Sequence, residues 1–211
     1  MTVPGRVDAA ALLLSLDPPA WFMRHSQAVA EVASWLAERI EFAGVPVDRL
    51  LVETAALLHD VDKLVPPDDP AKALPHGEGS ANWLARKGHP ELSRAVTNHP
   101  VTKLVDGEAF LRWAAFATRE ERIVAYADKR AGQRLESMDE RFAEWSRRHA
   151  EGPGSDVPVW SEELAREVRA RADRLEADVC HAAQVSPAEV GRAPWTAKAL
   201  QTAGERVARR R

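Results

Sequence analysis

The chain has 211 residues, of which 45% are hydrophobic and 29% are charged, and its formal net charge is −3. This composition is typical of a globular domain that buries a core without disulfides or metal ions as staples. The near-neutral charge excludes an overall basic field, so there is no strong signal for nucleic acid or for an anionic membrane.

The cysteine content and the hydropathy of the sequence indicate in which cellular compartment to expect the protein. Cys180 is the one cysteine in the sequence, so no disulfide can form within the chain, and we expect a reducing compartment, the cytoplasm. No segment approaches the ~20 apolar residues of a membrane span. The short apolar stretch 9–16 is bracketed by Asp8 and Asp17, so we interpret it as a helical turn that docks on the core and not as a signal peptide.

The first part of the chain has the pattern of helices separated by a proline-rich loop. Apolar residues at helical spacing predict a long helix over residues 19–42, which Gly44 would end. Asp48 can cap a second helix that runs into His59. Residues 65–75 contain four prolines and are predicted to form a loop, because proline cannot donate to a helix.

The remaining periodicity is also helical, and no run of alternating β-branched residues predicts a strand. Further helices are predicted over residues 78–87, 90–98, 119–135, 139–149 and 161–183, followed by a short helical tail. The best linker is 151–158, with the sequence EGPGSDVP. We therefore predict an all-α fold with a functional helical bundle over 18–150, a linker at 151–160 and a helical C-terminal extension over 161–211.

The chemistry starts from the dipeptide His59-Asp60, within ALLHDVDK. Neighbouring residues on a helix point about 100° apart, but at a helix end both side chains can converge on one ion. An imidazole nitrogen and a carboxylate together suit a hard or borderline divalent ion, and the two carboxylate oxygens can bridge two ions. The same chain also carries, beside helical apolar positions, His25, His76, His99 and Asp128.

This ordered pattern resembles the HD superfamily of metal-dependent phosphohydrolases. The resemblance spans about residues 21–145 and rests on AALLHDVDK, on the His-Gly before the third helix, on the isolated His99 and on YADKR. It looks closest to bacterial HD proteins that include symmetrical dinucleoside-tetraphosphate hydrolases, in which an HD-x-x-K segment precedes a His-Gly and a later His. It implies an HD-domain helical bundle with metal ions held between helices.

The resemblance also implies a set of metal ligands. One ion would be held by His25, His59, Asp60 and Asp128. A second ion would share Asp60 and add His76 and His99. We expect one or two divalent transition metal ions, drawn from Fe, Mn, Co, Ni and Zn. Such ions lower the pKa of a bound water and neutralise a phosphate oxygen, which suits phosphate hydrolysis.

Cationic residues near these motifs are candidates for phosphate contacts. Lys63 lies one turn beyond His59, and we assign it a catalytic role with Asp60 as well as substrate binding. The other candidates for substrate binding are Lys129, Arg130 and Arg24. The alternative for Lys63, Lys129 and Arg130 is that they are solvated ends of helices.

Asp62 stands where many members of the superfamily have glycine, in HD-x-G-K. It can orient a histidine from behind the ligands, or it can be a residue of the helix end. No Gly-Tyr-Pro element follows the histidines, which disfavours a cyclic-dinucleotide phosphodiesterase. No Glu-Asp pair follows the HD segment, which disfavours a guanosine-tetraphosphate hydrolase.

Tryptophan is frequent, with seven residues. Core packing is the expectation for those at apolar helical positions, although one tryptophan could stack a nucleobase. These positions are Trp21, Trp35, Trp83 and Trp113.

These patterns favour an enzyme that hydrolyses a phosphoester or phosphoanhydride, expected to be that of a nucleotide, through metal-activated water. A non-catalytic nucleotide or metal sensor with the same fold is the first alternative. A helical adaptor that binds a partner through the charged C-terminal helix is the second. The expected partner is a small phosphate-bearing molecule, and a homodimer is left open.

Overall fold

The computed structural model describes residues 3–150 and 159–209, and the side chains of these residues except 148–150. Within this part of the chain no strand occurs, which confirms the predicted all-α fold. Short 3-10 segments join several of the helices. The α-helices are α1 (Arg6–Leu14), α2 (Ala20–Phe42), α3 (Arg49–Leu58), α4 (Glu78–Arg86), α5 (Ser93–Thr97), α6 (Gly107–Phe116), α7 (Arg119–Arg130), α8 (Met138–Ala150), α9 (Glu162–Ala183) and α10 (Thr196–Ala208).

Helix α2 forms the centre of the bundle. It packs against α3, α7 and α9, and its fully buried residues include Phe22, Leu36 and Ile40. Burying one such side chain contributes roughly 1.5–3 kcal/mol. The same helix carries His25 to within 3.6 Å of the Asp128 carboxylate on α7. The core of the bundle therefore positions the first predicted ligand.

Helix α3 delivers the His59-Asp60 dipeptide. The side chain of Asp48 accepts a hydrogen bond from the amide of Leu51 and starts the helix, as predicted. The helix is buried over most of its length and ends at Leu58. The two side chains of the dipeptide therefore lie at a helix end, where they can turn toward one point.

Helix α7 is shorter than predicted. It starts with a capping box at Thr118 and ends at Arg130, so the predicted helix over 119–135 was too long. Ala131 has an extended backbone, with φ −133° and ψ 121°, and it pairs with Leu135 in one antiparallel bridge. The chain therefore reverses direction directly after the helix and folds back beside α2.

Two other segments differ from the expectation. Helix α6 was not predicted from the sequence. Phe110 is its one buried residue, and Trp113 and Ala114, one turn further on, pack partly buried against the core. The predicted helix over 90–98 is divided into a 3-10 segment, Pro90–Leu92, and the short helix α5.

The C-terminal helices pack on the bundle. Helix α9 contacts α2 and α7, and α10 contacts α1. Arg192 and Thr196 both bond the buried carboxylate of Glu31 on α2, and Trp195 donates to the carbonyl of Ala30. The predicted linker residues 151–158 lie outside the described residues, and the division of the chain at 151–160 stays a prediction.

Among the described residues, no helix combines the length and the apolar character needed to cross a membrane.

Candidate metal centre

The six predicted metal ligands lie in one cluster, although they come from different elements. Helix α2 carries the first and α7 the last, while the other four follow the ends of α3 and α5 or precede α4. The residues are His25, His59, Asp60, His76, His99 and Asp128. Asp60 is 2% exposed and occupies the middle of the cluster.

One oxygen of Asp60 faces the first group of ligands. Asp60 Oδ2 lies 3.3 Å from His25 Nε2 and 3.6 Å from His59 Nε2. Asp128 Oδ1 lies 3.6 Å from the same two nitrogens. These four side chains thus surround one small volume with two nitrogens and two carboxylate oxygens.

The other oxygen of Asp60 faces the remaining histidines. Asp60 Oδ1 lies 3.1 Å from His76 Nε2 and 3.1 Å from His99 Nε2. The two oxygens of one carboxylate therefore point to two different pairs of imidazoles. This is the arrangement that a carboxylate bridging two ions requires.

Each of the four imidazoles is oriented through its second nitrogen. His25 Nδ1 bonds the Gly132 carbonyl at 2.8 Å. His59 and His99 donate in the same way to carbonyl oxygens three residues upstream, and His76 Nδ1 bonds the Asp62 carboxylate at 2.8 Å. Carbonyl and carboxylate oxygens accept these bonds, so in the neutral ring Nδ1 carries the proton and Nε2 is the nitrogen that can bind an ion.

The convergence of lone pairs shows that the site fits a cation. His25 Nε2 and His59 Nε2 lie 3.1 Å apart. With both Nδ1 atoms protonated, two nitrogen lone pairs face each other at this distance and need a proton or a metal ion between them. Three groups of side chains in the described residues have ligand atoms close enough to hold an ion, and together they contain all six predicted ligands and Asp62. The mixture of imidazole nitrogen and carboxylate oxygen suits a divalent transition metal.

The carboxylates of the cluster are held in their charged form. Burial raises the pKa of Asp60, but electrostatic interactions with His59 and Lys63 lower it. Hydrogen bonds from His25 and His76 act in the same direction, and the pKa lies well below its usual range. Burial also raises the pKa of Asp128, and contacts with His59 again outweigh it, so that this pKa is also low. Both groups are therefore anionic at neutral pH.

The two histidines beside Asp60 Oδ1 differ in protonation. Burial lowers the pKa of His99 to about 4. Burial also lowers the pKa of His76, but hydrogen bonds to Asp60 and Asp62 together raise it to about 9. His99 is therefore a neutral ligand at neutral pH, whereas an ion must displace a proton from His76.

The cluster opens into a pocket of about 840 Å³, which is within the size range of small-molecule sites. Trp21 and Lys63 line the pocket together with ligands of the cluster. The Lys63 ammonium lies 2.6 Å from Asp60 Oδ2. Residues that were not predicted from the sequence also line it, and they come from the turn after α7 and from α8: Gln133, Arg134, Glu136, Arg141, Glu144 and Trp145. No motif marks these residues, because the reversal after α7 brings them to the pocket.

The other predicted substrate-binding cations do not line the pocket. Lys129 is fully buried, and its ammonium donates to the carbonyls of His99 and Ala125. Arg130 is 5% exposed and donates to Tyr126 and other groups inside the bundle. Arg24 is exposed and donates to the side chain of Gln133, a residue of the pocket wall. Of these four predicted cations, Lys63 is the one that lines the pocket.

The six candidate ligands all lie within a match to a known protein family. A family model described as HD domain matches residues 22–133. A protein of Kocuria rhizophila named tRNA (guanine-N(1)-)-methyltransferase is 33% identical over 98 residues, which cover 44% of this chain and 28% of that protein. The chain thus spans less than a third of the length of this curated relative. No solved structure matches the chain.

Proposed function

The chain belongs to the HD domain family, and we propose that it is a metal-dependent phosphohydrolase that cleaves a phosphoester or phosphoanhydride of a nucleotide. One observation carries the proposal: the two oxygens of the buried Asp60 carboxylate face two separate pairs of imidazole nitrogens. A carboxylate in this position can hold two cations at a fixed separation. Two adjacent cations are a recurrent solution for displacement at phosphorus.

The residues of the cluster divide into two ligand groups in this proposal. The first group is His25, His59, Asp60 and Asp128, and the second shares Asp60 and adds His76 and His99. Divalent ions held by these residues would lower the pKa of a bound water molecule and neutralise charge on the phosphate. The metal is one of Fe, Mn, Co, Ni and Zn, because these ions accept mixed nitrogen and oxygen ligands.

The reaction needs no side-chain nucleophile. The oxygen of a water molecule forms a bond to phosphorus and the bond from phosphorus to the leaving oxygen breaks. The water gives up a proton to solvent, and the leaving oxygen takes one up from solvent. Lys63 is exposed in the pocket beside Asp60, and its ammonium is placed to stabilise negative charge on the phosphate as that bond breaks. Cys180 is buried beside Tyr126 in the bundle, away from these groups.

The residues that line the pocket favour a nucleotide over a simple phosphate as the substrate. Trp21 precedes His25 by one turn of α2, so both lie on one face of the helix. The side chain of Trp21 is 50% exposed, so its position at an apolar helical spacing did not lead to core packing. Trp145 also lines the pocket, but it is 4% exposed and the Arg141 guanidinium lies 4.7 Å from its ring centre. Trp21 therefore offers the accessible aromatic face on which a base can stack.

A hydrolysis panel tests the proposal. Protein freed of metal would be reloaded separately with Mn²⁺, Fe²⁺, Co²⁺, Ni²⁺ and Zn²⁺. Each sample would be assayed on nucleoside mono-, di- and triphosphates, symmetrical dinucleoside tetraphosphates and a base-free phosphomonoester. We expect metal-dependent hydrolysis of at least one nucleotide class, faster than that of the base-free ester. Fully loaded protein that binds nucleotides and hydrolyses none of them would favour a nucleotide sensor.

We also propose that the protein works in the cytoplasm. A single, buried cysteine that forms no disulfide fits a reducing compartment. A homodimer remains a prediction, which sedimentation analysis would test.

A further inference from the structure

Asp62 has contacts that the proposed chemistry does not yet explain. Its side chain is 7% exposed, and one oxygen, Oδ2, accepts hydrogen bonds from His76 Nδ1 at 2.8 Å and from the Gly77 amide at 3.1 Å. The other oxygen, Oδ1, is buried and has no hydrogen-bond partner in the part of the chain that the structure describes. A buried carboxylate oxygen without a hydrogen bond lowers the stability of the folded protein. A charged residue at this position is therefore expected to have a role that offsets this cost.

The neighbouring elements hold Asp62 in place. Its amide donates to the hydroxyl of the buried Ser80, and the Lys72 ammonium donates to its carbonyl. A Cβ at Gly79 would lie 2.9 Å from Asp62 Cβ and 2.5 Å from the carbonyl oxygen of Ala71. The first turn of α4 can therefore approach the carboxylate closely only because position 79 has no side chain.

Among the four histidines of the cluster, His76 differs in two ways. Its side chain is 34% exposed, whereas those of His25, His59 and His99 are 14%, 0% and 1% exposed. The three less exposed rings are oriented by neutral carbonyl oxygens, but His76 is oriented by a carboxylate. The ring with the least packing around it is thus the one with the strongest hydrogen-bond acceptor.

We propose that Asp62 is a positioning residue for the second metal ion, acting through His76. The carboxylate fixes the ring plane and the tautomer of His76, so that Nε2 points at Asp60 Oδ1. A charge-assisted hydrogen bond to Nδ1 is roughly twice as strong as a neutral one, and it makes Nε2 a better electron-pair donor. The inference rests on the proposed metal centre and adds that its two halves depend on different residues.

Binding of Mn²⁺ alone to metal-free protein tests the inference. The chains compared would be the wild type, Asp62→Asn, Asp62→Ala and the control Asp106→Asn. The Asp106 carboxylate also accepts a backbone amide hydrogen bond, but it does so at the start of α6. Asn at position 62 keeps the size of the side chain and an acceptor oxygen while it removes the charge.

We expect the wild type to bind two ions and the control, Asp106→Asn, to bind both with the affinities of the wild type. In Asp62→Ala the dissociation constant of the weaker ion should rise about 10- to 100-fold, as for other partners behind a metal ligand, while that of the tighter ion stays within about threefold. Asp62→Asn should show a smaller rise, because its amide oxygen still accepts from Nδ1. The proton signal of His76 Nδ1–H in zinc-loaded protein should persist in Asp62→Asn and disappear in Asp62→Ala.

The outcomes separate this inference from the proposed function. A wild type that binds two ions, with both Asp62 variants keeping both affinities, overturns the positioning role and leaves the metal centre intact. Folded Asp62→Asn protein that loses both ions equally also overturns it, because the effect is then not specific to His76. A wild type that binds no ion overturns the proposed metal centre itself, and the role of Asp62 with it.

Discussion

At the scale of single residues, a substitution of Lys63 tests whether its ammonium stabilises negative charge on the phosphate. Its ammonium lies 2.6 Å from Asp60 Oδ2, and its side chain is 44% exposed to the pocket. We expect Lys63→Met to lower turnover about 10²-fold, the typical effect of removing one group that stabilises transition-state charge. Metal content, measured by mass spectrometry, should not change, because Lys63 is not a ligand. Lys103→Met is the matched control, since Lys103 pairs with Glu78 and does not line the pocket.

A substitution of Trp21 tests whether the pocket binds the base of a nucleotide. Stacking on an aromatic side chain contributes about 1–3 kcal/mol per base, so Trp21→Leu should weaken AMP binding by roughly 5- to 150-fold. Inorganic phosphate has no base and should bind equally well to both proteins. The measurement is the inhibition constant of each compound in metal-loaded protein.

The control for Trp21 is Phe116→Leu, because Phe116 is 81% exposed but does not line the pocket. It should change neither inhibition constant. Equal weakening of AMP and phosphate by Trp21→Leu would argue against stacking and for a distorted metal site.

The raised pKa of His76 leads to a prediction of how ion binding depends on pH. Against the effect of burial, hydrogen bonds to Asp60 and Asp62 hold the pKa of His76 in the metal-free protein at about 9, well above the ordinary value of 6.5, so this ring carries a proton at neutral pH. An ion at this position must displace it, so affinity should fall as the pH is lowered below about 9. At pH 8 the wild type should release about one proton more than His76→Gln on binding Mn²⁺. Calorimetry in two buffers with different heats of ionisation measures this difference, and equal release would contradict the assignment.

The position of Lys129 and Arg130 directly after Asp128 in the sequence did not indicate where their side chains point. Successive residues of a helix point about 100° apart, so Lys129 and Arg130 cannot share the direction of Asp128. Lys129 is buried and instead turns its ammonium to the carbonyl oxygens of His99 and Ala125. The identities of the metal-ligand candidates followed from the motif, but the direction of each neighbouring side chain depends on the packing of α7.

At the scale of the elements, Arg130 joins α7 to α9. Its guanidinium donates to Tyr126 at 2.6 Å and to the Pro187 carbonyl at 3.1 Å, and it lies 3.3 Å from Glu176. Its side chain is 7% exposed, so Arg130→Met would leave buried partners uncompensated. We expect the free energy of unfolding to fall by about 3 kcal/mol, measured by urea denaturation.

The control for this variant is Arg166→Met, because Arg166 pairs with Glu162 at the surface and is 73% exposed. A surface change of this kind should alter stability by less than about 0.5 kcal/mol. If Arg130→Met keeps wild-type stability and loses turnover, the substrate-binding role predicted from the sequence would be restored.

Helix positions were predictable where an amphipathic face or a cap was strong. Asp48 capped α3 as expected, and the long apolar face of α2 gave its bounds to within a residue. The end of α7 was missed, because Ala131 continues the apolar pattern while its backbone is extended to form the bridge with Leu135. A tertiary contact of this kind leaves no periodic signal in the sequence.

At the scale of the whole molecule, the order of ligands along the chain predicted a common site without predicting its internal geometry. The structure adds that Asp60 lies between the two ligand groups and that α2, α3 and α7 bring the first group together. The C-terminal helices were expected as an extension, and the structure shows them buried against α1, α2 and α7. Their burial depends on side chains such as Trp195, whose partners lie more than a hundred residues away in the sequence.

The central claim is that hydrolysis depends on ions held on both sides of Asp60. The most direct test is phosphate release from the best nucleotide of the panel, measured while Mn²⁺ is titrated into metal-free protein. The account predicts no release without Mn²⁺, a rise that ends near two ions per chain, and no release by folded Asp60→Asn at any ratio. Wild-type turnover in Asp60→Asn, or none in wild-type protein carrying two ions per chain, would contradict it.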